Sequence, residues 1–451
     1  MASNWERVPL GELYDFSSGL SKPRSDFGFG HGFLSFKDVF YNYFTPPRLE
    51  QLVNSTEKEQ QTCSIKRGDV FLTRTSETME ELGMSCVALR DYDRATFNGF
   101  TKRLRPKSGT QIIPEYAGYY FRSPSFRQEI TAMSSLSTRA SLNNEMLCRL
   151  TMAVPPPETQ VKIGTVLKAL DDKIALNQRM NATLEAMARA LFQSWFVDFD
   201  PVRTKLDGRQ PVGLDMGSAA LFPEHLEDSL LGKIPIGWQV ATLDNVLAVL
   251  ETGGRPKGGV AGITSGVPSI GAESIVSVGV FDFGKTKYVP IEFYERMKKG
   301  HIESHDVLLY KDGGRPGEYE PHVSMFGDGF PFEECSINEH VYRLRSNDHL
   351  SQEYLYFWLT SEFALAEMRI KGTGVAIPGL NSTAVRSLAV LIPPQAIVEA
   401  FTKQAAPLVT RILSNAKQSR ILSTLRDTLL PKLLSGELSV AAAKETMEMA
   451  R

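Results

Sequence analysis

The chain has 451 residues, which exceeds one ordinary hydrophobic core and predicts two or three domains. Its 42% hydrophobic and 23% charged residues are typical of a soluble globular protein. No run of about 18 apolar residues occurs, and residues 1–10 lack an apolar signal core, so the sequence argues against a membrane span and makes the cytoplasm the expected location.

Charge and cysteine content exclude further classes of protein. The formal net charge is −2, so composition alone gives no sign of a polyanion-binding protein. Residues 1–157 hold 19 basic and 17 acidic side chains, whereas residues 237–394 hold 14 and 19. The four cysteines lack Cys-x-x-Cys spacing, which argues against a zinc ribbon or a disulfide framework, and we expect them to be reduced core residues.

The first part of the chain, residues 1–157, predicts a mixed α/β domain. Short apolar runs such as 69–73 and 151–154 alternate with Gly, Pro and Ser. Three prolines at 155–157 end this domain, and a helical pattern follows from about Val161 to Phe196. Apolar or amide residues recur there at alternating spacings of three and four, which indicates a coiled-coil seam. Such a helix spans about 50 Å at 1.5 Å per residue, so it needs a partner helix.

The partner helix is predicted near the end of the chain, from about Val398 to Leu434. We divide the chain into a first domain (1–157), a first spacer helix (158–199), a linker (200–236), a second domain (237–394), a second spacer helix (395–438) and a tail (439–451). The linker is expected to turn the chain back, so that the helices pack antiparallel with the domains at opposite ends, related by an approximate twofold. The Ala- and Glu-rich tail is expected to fray.

An internal duplication supports this division. Leu142-Asn143, Leu150 and Pro155-Pro156 recur 238 residues later as Leu380-Asn381, Leu388 and Pro393-Pro394. Further matches join Asp69-Val70-Phe71-Leu72 to Asp306-Val307-Leu308-Leu309, Asn98 to Asn338, and Arg103-Leu104-Arg105 to Arg343-Leu344-Arg345. Repeats of this length are whole domains. The fold class expected is therefore α+β (mixed α/β), with two tandem domains related by a pseudo-twofold and separated by a long antiparallel two-helix coiled coil.

Several recurring residues invite a structural interpretation. Asn98 and Asn338 occur in both halves, so they are expected to shape the scaffold. Asn177 and Asn415 fall at equivalent places in the helical pattern. They either fix the register as buried seam residues or lie in solvent, and the sequence leaves both alternatives open.

Motifs for catalysis were sought in the sequence and are absent. The chain has no phosphate-binding Gly-x-x-x-x-Gly-Lys-Ser/Thr motif, and its Pro-Pro pairs lack the flanking polar and aromatic residues of an amino-methyltransferase. The glycine-rich residues 26–32 are expected to form a flexible surface loop. His301 and His305 could hold a metal if helical, but a loop before a strand is the favoured interpretation.

The chain resembles the specificity subunits of type I restriction-modification systems. The resemblance covers nearly the whole chain. It is carried by Leu170-Asp171-Asp172-Lys173-Ile174 with Asn177, Leu184-Glu185, Ala190-Leu191-Phe192, Trp195-Phe196-Val197-Asp198-Phe199, Leu221-Phe222-Pro223, Ile234-Pro235, Gly237-Trp238 and the run from Leu425 to Gly436.

The resemblance implies two target recognition domains, each reading one half of a split site in double-stranded DNA, with the helical spacer setting the unread gap. It implies two modification subunits, which methylate adenine with S-adenosylmethionine, and two restriction subunits, which translocate and cut DNA with ATP and Mg²⁺. This chain would then be non-catalytic, hold no cofactor or metal, and supply the address alone.

Base readout is expected from Arg, Lys, Asn or Thr side chains on loops, because these match the donors and acceptors of base edges. In the first domain we predict Lys22, Arg24, Arg74, Thr75 and the segment from Ser137 to Arg139. In the second domain we predict Arg255, Lys257, Lys311, Arg315, Lys371 and Thr373. For each residue, ordinary solvated loop charge is the alternative.

The ends of both helices carry more apolar residues than a two-helix seam can use, which suggests an interface for the modification subunits. The residues concerned are Phe192, Trp195, Phe196, Phe199, Leu429, Leu430, Leu433 and Leu434. Two other functions stay open: a self-contained DNA-modifying enzyme, and a noncatalytic coiled-coil adaptor without DNA binding, which fits the acidic balance better. The sequence does not supply the target bases or the spacer length.

Overall fold

The computed structural model describes residues 5–75, 81–134, 141–372, 374 and 378–449. The chain divides into two compact units. Unit 1 comprises residues 1–174 and 421–451, and unit 2 comprises residues 175–420. Each of the two long helices therefore contributes residues to both units.

Unit 1 contains short strands and helices ahead of the first long helix. Its strands are Arg7–Pro9 (β1), Tyr14–Ser18 (β2), Phe27–Leu34 (β3), Gln51–Val53 (β4), Val70–Thr73 (β5), Ser85–Val87 (β6), Thr96–Phe97 (β7), Thr101–Pro106 (β8) and Thr151–Ala153 (β9). Its helices are Leu10–Leu13 (α1), Phe36–Tyr41 (α2), Glu57–Thr62 (α3), Pro114–Tyr120 (α4), Pro124–Ser134 (α5), Asn144–Arg149 (α6) and the start of Pro157–Phe196 (α7).

Unit 2 begins within α7 and includes the segment predicted to be a linker. That segment holds helices Asp200–Leu206 (α8) and Met216–Leu221 (α9) and a hairpin of Leu226–Ser229 (β10) and Gly232–Pro235 (β11). The strands that follow are Gln239–Thr242 (β12), Leu247–Thr252 (β13), Val267–Ile270 (β14), Lys287–Val289 (β15), Asp306–Tyr310 (β16), Gly314–Arg315 (β17), Glu318–Tyr319 (β18), Val323–Phe326 (β19), Ser336–Ile337 (β20), Val341–Ser346 (β21) and Ala389–Ile392 (β22). The helices are Leu243–Val246 (α10), Ile291–Arg296 (α11), Gln352–Leu359 (α12), Glu362–Lys371 (α13), Ser382–Arg386 (α14) and Gln395–Ser435 (α15), and Val440–Met449 (α16) follows in unit 1.

The two units repeat the same sheet topology. In unit 1 a four-stranded antiparallel sheet has the order β2-β8-β5-β6, and in unit 2 the order β13-β21-β16-β19 is its counterpart. A second sheet pairs β3 antiparallel to β4 and parallel to β7, just as β14 pairs with β15 and β20. A third pair joins the start of each repeat to its end, β1 to β9 and β12 to β22. The duplication expected from the sequence is therefore a duplication of structure.

Buried ion pairs anchor the central strand of each unit. Asp69 directly precedes β5 and Asp306 is the first residue of β16, and both are fully buried. Asp69 Oδ1 and Oδ2 accept hydrogen bonds of 2.7 and 2.6 Å from Arg105, while Asp306 accepts 2.5 Å from Arg343 and 2.8 Å from Arg345. Each carboxylate also accepts a backbone N–H three residues upstream, at 2.8 and 2.7 Å. Because a buried charge is tolerated only when it is paired, the Arg-Leu-Arg motif recurs with its aspartate.

Tyrosines bind the edge strands to the helices in the same way in both units. Tyr116 Oη donates to the carbonyl of Ala153, and Tyr354 Oη donates to that of Leu391, both at 2.8 Å. The backbone N–H of Thr151 donates to Glu129 at 2.8 Å. In unit 2 the N–H of Ala389 donates to Glu367 at 2.9 Å. These bonds satisfy polar groups that burial would otherwise leave unpaired.

The long helices are slightly longer than predicted. Helix α7 begins at Pro157 rather than near Val161, because proline at the first helical position has no N–H to leave unpaired and its φ suits a helix. Helix α15 begins at Gln395 and ends at Ser435. Within unit 2 the two helices run antiparallel, as expected, since Phe192 packs on Phe401 while Asn177 contacts Ser419.

The asparagines of the helical pattern are buried. Asn177 is 0% and Asn415 2% exposed. Asn177 Nδ2 donates to Ser419 Oγ at 3.2 Å, and Asn415 Nδ2 donates to Asn181 Oδ1 at 2.8 Å. Asn181 and Ser419 are themselves 238 residues apart, so the two bonds are equivalent. The seam interpretation is confirmed and the solvated alternative is wrong.

Four local expectations require correction. The glycine-rich residues 26–32 are not a surface loop: most lie in the bulged strand β3, where a Cβ at Gly30 would stand 2.5 Å from the carbonyl oxygen of Val53. The tail does not simply fray, since α16 forms and Ala443 is fully buried in the core of unit 1. The segment predicted as a linker contains two helices and a hairpin. Of the four cysteines, Cys148 is exposed.

Candidate nucleic-acid interface

The carboxyl ends of the central strands β5 and β16 bring together several residues predicted to read DNA. The carbonyl of Arg74 accepts the N–H of Leu142, and the carbonyl of Lys311 accepts the N–H of Leu380, both at 2.9 Å. Thr75 and Asp312 then form equivalent bridges to Ser141 and Gly379. The predicted residues Arg74, Thr75 and Lys311 therefore occupy matching positions in the two units.

A turn stands beside each of these strand ends and is built in the same way in both units. Asn98 Oδ1 accepts the N–H of Phe100 at 2.6 Å, and Asn338 Oδ1 accepts the N–H of His340 at 2.9 Å. These bonds confirm the expected scaffold role of the two asparagines, since the side chain closes the turn from within.

In unit 1 the strand end is cationic. Lys102 Nζ lies 3.0 Å from Ser18 Oγ and 2.9 Å from Asn144 Oδ1. Burial and the nearby charge of Arg74 both lower the pKa of the Lys102 ammonium. Among the carboxylates that the structure describes, none forms an ion pair with Arg74 or Lys102. Within the described part of the chain, this pair of cations therefore offers a site for an anion.

In unit 2 the equivalent strand end mixes both signs of charge. Asp312 Oδ2 lies 3.4 Å from Lys311 Nζ and 3.1 Å from His340 Nδ1. Glu339 Oε1 lies 2.7 Å from Arg255 Nε and 3.5 Å from His340 Nε2. Two predicted residues, Arg255 and Lys311, are thus brought together through acidic residues that the sequence analysis did not single out. Both acidic residues could have been found from the sequence, since Asp312 directly follows Lys311 and Glu339 directly precedes His340.

The remaining predicted residues lie outside these two strand ends, although Leu20, two residues before Lys22, bridges to Asn98 in the adjoining turn. Lys22 pairs with Glu59 at 2.8 Å, and that hydrogen bond raises the pKa of Lys22. Arg24 is exposed ahead of β3, Lys257 is exposed after β13, and Arg315 is exposed in the β17–β18 hairpin. Arg139, with Ser137 and Thr138, and Thr373 fall outside the described residues. The assignment of these side chains to DNA contacts stays a prediction.

Lys371 has a structural role that the sequence analysis did not expect. Its Nζ lies 2.8 Å from Glu367 and 2.7 Å from the carbonyl of Ser387. In unit 1, Arg7 pairs with Glu129 at 2.6 Å, where Glu129 is the counterpart of Glu367. Both cations neutralise the glutamate that caps the last edge strand. Lys371 therefore braces the scaffold, because its ammonium is engaged on the side of the edge strand.

The eight residues predicted to bind partner subunits are buried within the chain, so the premise of that prediction is wrong. Phe192, Trp195 and Phe196 are each 2% exposed and pack in unit 2 against α12 and Phe401. Phe199 is 7% exposed beside Trp238. Leu429, Leu430, Leu433 and Leu434 are between 1% and 5% exposed in the core of unit 1. The apolar surplus packs within the two units themselves, and these eight side chains offer little exposed apolar surface.

A polar link between the long helices in unit 1 had a sequence signal that was not used. Arg426 Nη1 donates to Asp171 Oδ1, and Tyr119 Oη donates to Asp171 Oδ2, both at 2.6 Å. The guanidinium of Arg426 also lies 5.4 Å from the centre of the Tyr43 ring. Asp171 and Arg426 belong to two of the motifs that carry the family resemblance. Their pairing explains why both motifs are polar at these positions.

No group of three or more His, Cys, Asp or Glu side chains among the described residues is arranged to hold a metal ion. His301 and His305 lie in the segment before β16, so the loop interpretation is confirmed. Within the described part of the chain, no helix combines the length and apolar character that a bilayer crossing requires.

Known proteins show the same organisation. Residues 2–186 match the family model described as the type I restriction modification DNA specificity domain. The chain is 26% identical over 443 residues to the MjaIX specificity subunit of Methanocaldococcus jannaschii, covering 96% of this chain and 92% of that protein. It is 24% identical over 480 residues to the HindI specificity subunit of Haemophilus influenzae, covering 97% and 100%. The crystal structure of a type I S subunit from M. genitalium matches with a TM-score of 0.54 at 12% identity, covering 95% of this chain and 96% of that one, and confirms the mixed fold with paired long helices.

Proposed function

Since this chain belongs to the family of type I restriction-modification specificity subunits, we propose that it reads a bipartite DNA target through its two recognition domains. The observation that carries this proposal is the duplication. The two units keep the same scaffold hydrogen bonds while their strand ends carry different side chains, cationic in unit 1 and mixed in unit 2. Two readers with one scaffold and different surfaces suit a target whose two halves differ in sequence.

The proposed assembly assigns the chemistry to other subunits. This chain would be non-catalytic and carry no cofactor, while two modification subunits with S-adenosylmethionine methylate adenine and two restriction subunits with ATP and Mg²⁺ translocate and cut, in the cytoplasm. The proposed recognition domains are residues 1–157 and 237–394, with spacer helices at 158–199 and 395–438 setting the unread gap. The docking surface for the partners must lie elsewhere than the eight buried residues at the helix ends, because those have no exposed surface to offer.

A salt titration of DNA binding tests the proposal. The full-length chain would be incubated with a duplex pool of randomised sequence, and the bound fraction measured by gel shift at several salt concentrations. We expect affinity to fall steeply with added salt, since each phosphate contact releases counterions. Absence of any salt-dependent shift would favour the adaptor without DNA binding, and base modification by the chain alone would favour the self-contained enzyme.

A further inference from the structure

The turns closed by Asn98 and Asn338 place one side chain of each unit beside the end of its central strand. The carbonyl of Phe100 accepts the N–H of Arg74 at 2.9 Å, and the carbonyl of His340 accepts the N–H of Lys311 at 3.0 Å. Each turn is thus fixed twice, by the asparagine side chain within it and by the neighbouring strand. Positions 100 and 340 are therefore equivalent and rigidly presented.

The side chains at these two positions differ, and neither is buried. Phe100 is 64% exposed, and the side chain of His340 is 46% exposed. An exposed phenylalanine is unremarkable by itself, because single apolar residues are common on protein surfaces. Its surroundings make the difference: the backbone bond to Arg74 and the cation pair of Arg74 and Lys102 place it at a surface that calls for an anion.

The chemistry around Phe100 fits base edges in a DNA groove. A phenylalanine contacts the methyl group of thymine, an arginine donates to the acceptors of guanine, and a lysine contacts phosphate. Around His340 the site offers a hydrogen-bond acceptor instead of donors. Asp312 can only accept hydrogen bonds when ionised, and its Oδ2 lies 3.1 Å from His340 Nδ1, which orients it. A carboxylate at this position suits an exocyclic amino group, as on cytosine.

We propose that the asparagine-closed turn and the adjoining strand end form the base-reading element of each unit. Unit 1 reads thymine or guanine through Phe100 and Arg74, and unit 2 reads an exocyclic amino group through Asp312 held by His340. This inference rests on the proposed function and deepens it, because it assigns the half-sites to particular side chains. It also implies that the five described residues predicted outside the strand ends contact only the DNA backbone or do not contact DNA; these are Lys22, Arg24, Lys257, Arg315 and Lys371.

Selection from a randomised duplex pool tests the proposal with the full-length chain. Four variants are compared with the wild type: Phe100→Ala and Asp312→Asn, with Tyr41→Ala and Asp348→Asn as matched controls. Tyr41 is 72% exposed in unit 1, and Asp348 is exposed in unit 2 after β21. Phe100, Tyr41 and Asp348 are exposed, whereas the side chain of Asp312 is 23% exposed, so circular dichroism and hydrogen exchange verify that each variant is folded.

We expect Phe100→Ala to reduce the preference at a position in one half of the enriched motif by about tenfold or more. Asp312→Asn should do so in the other half, and both controls should keep the wild-type motif. A wild-type chain that enriches no sequence would overturn the proposed function and this inference with it. A wild-type motif left unchanged by Phe100→Ala and Asp312→Asn, or changed by both in the same half, would overturn this inference alone.

Discussion

Units 1 and 2 pair equivalent glutamates with different basic side chains. In unit 1, Glu115 accepts hydrogen bonds of 2.9 and 3.2 Å from the guanidinium of Arg67. In unit 2, the counterpart Glu353 lies 2.9 Å from Nδ1 of His305, whose Nε2 lies 3.1 Å from Asp328. The hydrogen bonds from side chains to the edge strands are the same in both repeats, whereas the ion pairs of these glutamates differ between the repeats. A duplicated scaffold therefore tolerates new charges where they do not support the sheet.

The residue that precedes the buried aspartate has a left-handed backbone in both units. Gly68 has φ of 90°, and its counterpart His305 has φ of 63°. Both are in the left-handed region, which glycine adopts without cost and a histidine only with strain. His305 keeps this conformation because its ring bridges two carboxylates, a contact that Gly68 leaves to the neighbouring Arg67.

The largest test of the comparison concerns the helix ends that fill the two cores. Trp195→Ala should destabilise unit 2 by about 3 to 5 kcal/mol, and Leu433→Ala should destabilise unit 1 by about 2 to 5 kcal/mol, because each leaves a cavity in a packed core. Hydrogen exchange followed by mass spectrometry reports the two units separately. Each substitution should accelerate exchange mainly in the unit that buries the side chain. Unchanged exchange in both units would mean that these residues are not core residues.

The buried aspartates offer the next comparison. Asp306→Asn should cost on the order of 3 kcal/mol, since it removes a fully buried carboxylate that pairs with two arginines, Arg343 and Arg345, although Arg343 keeps its contacts with Glu251 and Glu303. Asp69→Asn should cost less, because its partner Arg105 is 27% exposed and can turn to water. Urea unfolding of both variants, with local exchange as a second readout, measures the difference. A larger loss of stability for Asp69→Asn than for Asp306→Asn would contradict the role of Arg345 as the second partner of Asp306.

The contact of Glu353 with His305 should depend on pH, whereas that of Glu115 with Arg67 should not. The hydrogen bond to Glu353, followed by that to Asp328, raises the pKa of His305 above its ordinary 6.5, against the opposing effect of burial. The stabilisation is therefore complete below pH 6.5 and is lost as pH rises through the higher folded-state pKa. Its size should be about 1.5 to 3 kcal/mol, the contribution of a hydrogen bond to a charged group. Arg345 also lines this site, and the charge of Lys417 acts on Asp328.

Protection factors of α12 and α4, measured from pH 6 to pH 9, check this prediction. Protection should fall with pH around Glu353 and stay level around Glu115, because a guanidinium does not deprotonate in this range. His305→Gln should abolish the pH dependence, while His349→Gln, at an exposed position after β21, should preserve it. Equal pH dependence in both helices would refute the distinction.

The smallest effect should be the same in both units. Tyr116→Phe and Tyr354→Phe each remove one hydrogen bond to an edge-strand carbonyl, so each should cost about 1 kcal/mol. Thermal or urea unfolding of the two variants provides the measurement. A clear difference between them would show that the matching 2.8 Å bonds do not have matching energies.

The sequence predicts the features that periodicity and repetition encode. The long helices follow from alternating apolar spacing, and the equivalence of Asp69 with Asp306 follows from the repeat. The interaction of the Arg-Leu-Arg motif with these aspartates was not foreseen, because antiparallel pairing of β8 with β5 cannot be inferred from spacing alone. Strand β3 was missed because its glycines resemble a loop, although close approach to Val53 requires a glycine at position 30.

The errors at the candidate site have one physical cause. Apolar residues at the helix ends were expected to be exposed, because a two-helix seam was the only core considered for them. In the structure each helix end packs on α4 or α12, so Trp195 and Leu433 are buried. Lys371 was expected to contact DNA from a loop, but it is the last residue of α13 and its ammonium pairs with Glu367, so its contact with DNA stays a prediction. Whether a loop charge faces inward depends on tertiary packing, which a linear pattern does not record.

The methylated motif of cells that carry the complete restriction-modification system tests the central claim most directly. Residues 1–157 would be exchanged for the corresponding domain of another specificity subunit, and methylated adenines mapped across the genome before and after. If the two units read DNA independently, one half of the motif should change. The other half, recognised by unit 2, should stay the same. A change in both halves, or in neither, would contradict the account.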